Sequence, residues 1–184
     1  YLVLLGNMKF FTQKDGGKEH KKGDISKFGN LLADSQIIKS ENIIPVLITM
    51  LRAPYYNEDG KRVYPKFIIF SRYIKVINYI FDLLTLNLST SESSFVRKVV
   101  GTGMDIKLRN AIFDQFQEYN NDLRVLIASI ESASTGINLD DTSPGGVYPR
   151  VILYMPDFYV ISMIQALGRT DRITTTSKSA CYII

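Results

Sequence analysis

The sequence predicts an α/β fold in which a parallel sheet carries helices on both faces. Three observations carry that expectation. Short runs rich in Ile, Val and Leu recur along the chain and are apolar throughout, as strands buried on both faces require. Amphipathic segments with helical spacing alternate with them. The loops after the runs (Ser71-Arg72, Gly101-Thr-Gly103, and Ser129 to Asn138) carry polar and small residues where such sheets place their working groups.

The elements follow in order. Lys14 to Gly23 is polar and Gly-rich and reads as an exposed loop, with His20 an ordinary residue within it. Ser26 to Asp34 is expected as a short helix capped by Ser26. Residues 43–52 form a second helix, with Pro45 tolerable only near its start. Asn57-Glu-Asp-Gly60 is a turn. Lys66 to Ser71 is the first buried strand, and Ile74, Ile77, Ile80, Phe81 and Leu84 mark the helix behind it. Phe95 to Val100 is the second strand. Asp105 then caps a helix with Leu108, Ile112, Phe116 and Tyr119 on one face. Leu123 to Ser129 and Arg150 to Met155 are the third and fourth strands. A helix from about Val160 to Leu167 leads to the fifth, Ala180 to Ile184, with Cys181 buried in it. Tyr55-Tyr56 and the aromatics from Tyr154 to Tyr159 read as core or interdomain packing. Residues 1–62 form a basic loop and helical lead-in, and residues 63–184 the sheet domain.

Composition narrows the function. A 184-residue chain that is 46% hydrophobic and 22% charged can bury a proper core, and it is not a disordered tail. No stretch approaches the roughly 20 apolar residues of a membrane span, so no membrane partner is expected. A single cysteine, Cys181, excludes an intramolecular disulfide or a cysteine-cluster metal site. A lone histidine, His20, argues against zinc and against a Ser-His-Asp triad. Residues 1–75 hold 13 of the 22 Lys and Arg against 7 of the 18 Asp and Glu, and the rest of the chain is slightly acidic. That asymmetry fits either an anionic partner such as nucleic acid or a solvated basic surface. The first residue, Tyr1, is not an initiator Met, so the chain is expected to be a piece of a longer protein.

Two stretches carry chemistry. Gln165-Ala-Leu-Gly-Arg-Thr-Asp-Arg172 places two arginines beside a glycine after an apolar helix. Planar guanidinium forks suit phosphate oxygens and the charge that develops in phosphoryl transfer. Ala128 to Leu139 is crowded with hydroxyl residues around Gly136, and such loops can cradle phosphates.

Together these stretches resemble motifs V and VI of the superfamily-two helicases and translocases. Ser134-Thr-Gly-Ile-Asn-Leu139 is similar to motif V, and Gln165-x-x-Gly-Arg-x-x-Arg172 matches motif VI at every defining position. Phe67-Ile-Ile-Phe-Ser-Arg72 resembles motif IV, and Arg109 with Phe116 resembles the helix that follows the second strand in this family. The form of the motifs leans toward the Snf2-like and strawberry-notch-like branch and toward viral relatives. The family's phosphate loop and Mg²⁺ box do not occur in these 184 residues. The resemblance therefore implies the second, C-terminal RecA-like domain of a motor, inactive toward ATP by itself.

Its implications extend to individual residues. Arg169 and Arg172 would be arginine fingers. Gly136, Asn138 and Gln165 would face the nucleotide, Asn138 standing where motif V usually has an acidic residue. Ser71, Arg72, Thr102 and Thr135 would grip backbone phosphates of a tracked strand, with DNA expected before RNA. ATP and Mg²⁺ are the implied cofactors, both held mainly by an N-terminal RecA-like domain of the same protein, and no metal is expected on this chain. An intracellular setting is implied: the nucleus or cytoplasm of a host cell, or a virion for a viral protein. Two other readings compete: a degenerate helicase fold that only binds nucleic acid, and an unrelated doubly wound enzyme such as a nucleotide-sugar transferase. Retention of both arginines disfavours the first, and the complete Gln165 to Arg172 pattern disfavours the second.

Overall fold

In the computed structural model, residues 22–101, 103–119, 122–133, 137–157 and 160–184 are described. A helix, α1 (Lys22–Arg52), leads into a short antiparallel hairpin of β1 (Tyr55–Tyr56) and β2 (Arg62–Val63). The hairpin turn closes on Gly60, whose φ of 73° a side chain would oppose. The sheet strands and their crossovers follow: β3 (Lys66–Ser71), α2 (Ile74–Asn87), a 3₁₀ turn (Thr90–Phe95), β4 (Val96–Val99), α3 (Ile106–Gln117) and β5 (Val125–Ser129). The chain ends with α4 (Ile130–Ala133), β6 (Arg150–Tyr154), α5 (Val160–Leu167) and β7 (Ala180–Ile183).

The five longer strands form one parallel sheet in the order β4-β5-β3-β6-β7. Central β3 pairs Phe67 with Val125 on one side and with Val151 on the other. All six of its residues are buried, which explains why the run is apolar without alternation. Because side chains alternate across a strand, Phe67 and Ile69 enter one core and Ile68 and Phe70 the other. The first core lies under α1 and α2, with Ile44, Leu47, Ile77, Ile80 and Leu84 at its centre. The second lies under α3 and α5, with Ile112, Phe113, Phe116 and Ala166.

Three local expectations are corrected. The two short helices expected within residues 26–52 are one helix of 31 residues, with Pro45 in its interior. Proline there removes a backbone hydrogen bond and crowds the preceding turn. The helix continues because Ala33, Ile44, Leu47, Ile48 and Leu51 anchor it to the sheet on both sides of the proline. On α3, Leu108 is exposed and Tyr119 lies past the helix end, and Phe113 joins Ile112 and Phe116 in the buried face instead. Cys181 is exposed rather than buried, because β7 is an edge strand packed on one side only. Of the aromatics, Tyr154 is core, whereas Tyr56 is exposed on the hairpin. The Lys14 to Gly23 loop, with His20, lies outside the described residues but for its last two positions, which begin α1.

The start of β3 holds a buried cation. Lys66 Nζ donates to the carbonyl oxygens of Phe116 and Glu118, each at 2.6 Å, closing the C-terminal end of α3. It also stands 5.2 Å from the ring centroids of both Phe116 and Tyr148. Burial, helped by the neighbouring Arg150 and Arg124 charges, lowers its pKa from 10.5 to about 7. Between those values the unfolded chain binds the proton that the folded chain releases. Stability from this group therefore rises with pH across that window, by up to about 1.4 kcal/mol per pH unit. Denaturant unfolding of the wild type from pH 7 to 10 should show this rise, and Lys66→Met should flatten it.

Candidate functional site

The two motif-bearing stretches meet on the α3 and α5 flank of the sheet. Leaving α4, the chain runs as an extended segment through Ile137–Asp141 before looping back into β6. The turn that follows α5 docks along this segment. Leu139 N donates to Arg169 O at 2.8 Å, and Arg172 Nη2 donates to Ile137 O at 3.2 Å. Further along, Thr174 Oγ1 donates to Asp140 Oδ2 at 2.6 Å. Thr176 gives its N–H and its hydroxyl to Asp141 O, at 2.7 and 2.8 Å. Thr170, fully buried, turns its hydroxyl back onto Leu167 O and so closes the end of α5.

The extended segment is itself anchored from beneath. Arg150, the first residue of β6 and 2% exposed, donates Nε to Leu139 O and Nη2 to Asp140 O, at 2.8 and 3.0 Å. Its remaining donors reach Tyr148 O and Gln117 Oε1. Burial lowers the Arg150 pKa to about 10, while Asp141 and Asp140 oppose that shift. The guanidinium keeps its charge at neutral pH and balances two buried carboxylates. Asp141 in turn accepts from Ser143 N and Tyr148 N, which folds the 141–149 loop. In that loop a Cβ on Gly146 would fall 2.6 Å from Thr176 O, so only glycine allows the loop to lie against the arginine turn.

Three of the expected nucleotide-facing residues lie on the docked turn and on the segment it meets. Arg172 is exposed, Arg169 is partly buried, and both sit on the docked turn. Asn138 lies on the extended segment, and its Oδ1 is buried without a hydrogen-bond partner among the described residues. Gln165 is exposed on α5. Gly136 and Thr135 lie outside the described residues, as does Thr102.

The expected strand-facing residues behave differently. Ser71 ends β3 fully buried, and its hydroxyl donates to Gln36 Oε1 of α1 at 2.8 Å. It also accepts from Tyr73 N, so the hydroxyl is engaged inside the domain. Arg72 does reach the surface, where Nε donates to buried Asp157 at 2.6 Å and Nη1 stands 3.5 Å from exposed Glu131. Among the described residues no group of three His, Cys, Asp or Glu side chains could hold a metal ion. None of the described helices is long and apolar enough to cross a membrane.

Sequence reasoning missed Arg150, Lys66, Asp140 and Asp141. A signal was present for the cations: each opens a strand that is otherwise apolar, and a charge there must find partners inside.

The family described as Helicase conserved C-terminal domain matches residues 45–174. The chain belongs to that family. Solved structures agree on the fold of this helicase C-terminal domain. The C-terminal part of the Fun30 ATPase domain is 20% identical with a TM-score of 0.52, covering 65% of this chain and 34% of its own. Domain 2 of the DEAD-box helicase Mss116p, bound to an RNA duplex, is 16% identical with a TM-score of 0.52, covering 83% and 50%. UvsW of T4 is 17% identical with a TM-score of 0.53, covering 92% and 28%. This helicase C-terminal domain thus spans a third to a half of those chains or less, and shares their RecA-like parallel sheet. No curated protein sequence matches it significantly.

The docking of the arginine turn makes a stability prediction. Asp141→Ala removes the acceptor of two backbone N–H groups, those of Ser143 and Tyr148. An unfolding midpoint measured in urea should shift by the equivalent of about 1–3 kcal/mol.

Proposed function

We propose that this domain is the second motor domain of a nucleic-acid-dependent ATPase, with Arg169 and Arg172 acting as arginine fingers on ATP held across a cleft by a first RecA-like domain. The observation that carries the reading is the docked turn: an exposed Arg172 guanidinium on backbone fixed by hydrogen bonds from Arg169 to Thr176. A fork held in place before the reaction stabilises transition-state charge without reorganising.

The residues present suit ATP in this role. The Arg172 fork fits phosphate oxygens. The buried, unpartnered Oδ1 of Asn138 offers an acceptor to a ribose hydroxyl or to the partner domain. Gln165, exposed on α5, would report closure to the same surface. Mg²⁺ would travel with the phosphates and the other domain. ATP supplies the phosphoryl group; this chain orients it and neutralises charge.

The second ligand is a nucleic-acid backbone. Arg72, at the C-terminal end of β3, would exchange its long contact with exposed Glu131 for a strand phosphate while keeping Asp157 as its anchor. Such contacts serve DNA, the expectation from sequence, and RNA of the kind bound by Mss116p alike. Thr102 and Thr135 complete the proposed strand contacts, and Gly136 the proposed nucleotide contacts, from positions outside the described residues. The division into a lead-in over 1–62 and a motor domain over 63–184 belongs to the same proposal, as do the intracellular setting and the viral affinity.

The decisive measurement is steady-state ATPase of the protein containing both motor domains, at saturating strand. Arg172→Ala should lower turnover by about 10³-fold, with ATP and nucleic-acid affinities changing far less. Arg172→Lys should recover little, since an ammonium lacks the bidentate fork. Turnover within about threefold of wild type for Arg172→Ala would instead favour a fold that only binds nucleic acid. Separately, Arg72→Ala should flatten the salt dependence of strand binding by roughly 0.7–0.9 in log–log slope, read by titration at several salt concentrations.

A further inference from the structure

We infer that Asp140 is the positioning residue for Arg172, holding the arginine turn in register through the hydroxyl of Thr175. The inference rests on the arginine-finger reading of Arg172. Asp140 itself is fully buried and touches no surface from which it could meet ATP.

The geometry is a short chain of hydrogen bonds. Arg172 N donates to Thr175 Oγ1 at 2.7 Å. The Thr175 hydroxyl then has one proton to give, and Asp140 Oδ2 lies 3.4 Å away. The same carboxylate oxygen accepts from Thr174 Oγ1 at 2.6 Å. Two consecutive hydroxyls just after Arg172 therefore converge on one buried oxygen. The carboxylate fixes which way the Thr175 proton points, and that leaves the Thr175 lone pairs facing the Arg172 backbone. Asp140 is fixed in its turn by Arg150, whose Nη2 holds the Asp140 carbonyl oxygen at 3.0 Å. A buried charge is costly unless it is compensated and hydrogen-bonded, and Asp140 has both supports.

The chemistry explains why a carboxylate stands here. An acceptor-only group can take two hydroxyl protons on one oxygen without presenting a competing donor. Asp140 Oδ1 is buried and has no partner among the described residues. An asparagine could occupy the site with its carbonyl oxygen toward the threonines and its amide at the unused position. An alanine could not.

The test uses the protein containing both motor domains, with ATPase measured at saturating strand and KM for ATP determined in parallel. Asp140→Ala should lower kcat by roughly 10–100-fold, in the range expected when a catalytic group is displaced by about 1 Å. KM should stay within about threefold, and Asp140→Asn should restore kcat to within about threefold of wild type. Thr175→Val should reproduce the loss and Thr175→Ser should spare it, and this pair leaves the buried carboxylate in place should Asp140→Ala fail to fold. Combined with Arg172→Ala, Asp140→Ala should cost nothing further, because the group it positions is gone. A full multiplicative loss in that double variant, or an unchanged kcat for both Asp140→Ala and Thr175→Val, would overturn the positioning role alone. Wild-type turnover by Arg172→Ala would remove the finger reading and the positioning role with it.

Discussion

A buried guanidinium is the constraint on which this domain's working flank depends. Arg150 enters at the first residue of β6, where the sheet is closed on both faces, and must satisfy its donors without water. It does so with the carbonyl oxygens of Leu139, Asp140 and Tyr148 and with the side chain of Gln117. Those partners lie at three separate places in the chain. Satisfying one cation therefore fixes the path of the segment after α4, the return loop into β6 and the end of α3. Lys66, paired with Arg150 in the parallel register, does the same for the carbonyls that end α3. The two basic groups sit side by side in a core because the buried Lys66 amine gives up its proton near pH 7, because Phe116 and Tyr148 lend their ring faces, and because Asp140 and Asp141 balance Arg150.

The sheet was legible because its physics is local in sequence. A run such as Phe67-Ile-Ile-Phe70 has one stable use, between two layers of helix, and the period of Ile77, Ile80 and Leu84 supplies one layer. Strand order was not legible, since it depends on which runs pair. Nor was the continuity of α1. Pro45 marks a helix start by local rules, and only the contacts of Ile44 and Leu47 with a sheet formed later in the chain override it. Cys181 failed for a related reason: an apolar run reads the same at the centre of a sheet and at its edge.

Of the candidate site, the two arginines were legible and their support was not. Arg169 and Arg172 stand out because guanidinium pairs beside glycine are unusual on a helix end. Asp140, Asp141 and Thr174 to Thr176 look like an ordinary polar loop until the fold brings residues some 35 positions apart into hydrogen-bond range. Ser71 and Arg72, neighbours in sequence, part at this point: the first is fully buried and the second reaches the surface. At the last residue of a buried strand the alternation of side chains sends one inward and the next outward, and Gln36 was waiting on the inward side.

Gln36 has a mechanical consequence. Its Oε1 accepts from Ser71 at the end of β3, and its Nε2 donates to Pro156 O beyond the end of β6. One amide thus cross-braces two neighbouring strand ends and fastens both to a helix of 31 residues, about 46 Å long. A pull applied at the β3–α2 loop is not borne by that loop alone. It is shared with the loop after β6 and spread along α1 into the core of Ile44, Leu47 and Ile80, so the tip of the sheet yields as one stiff plate.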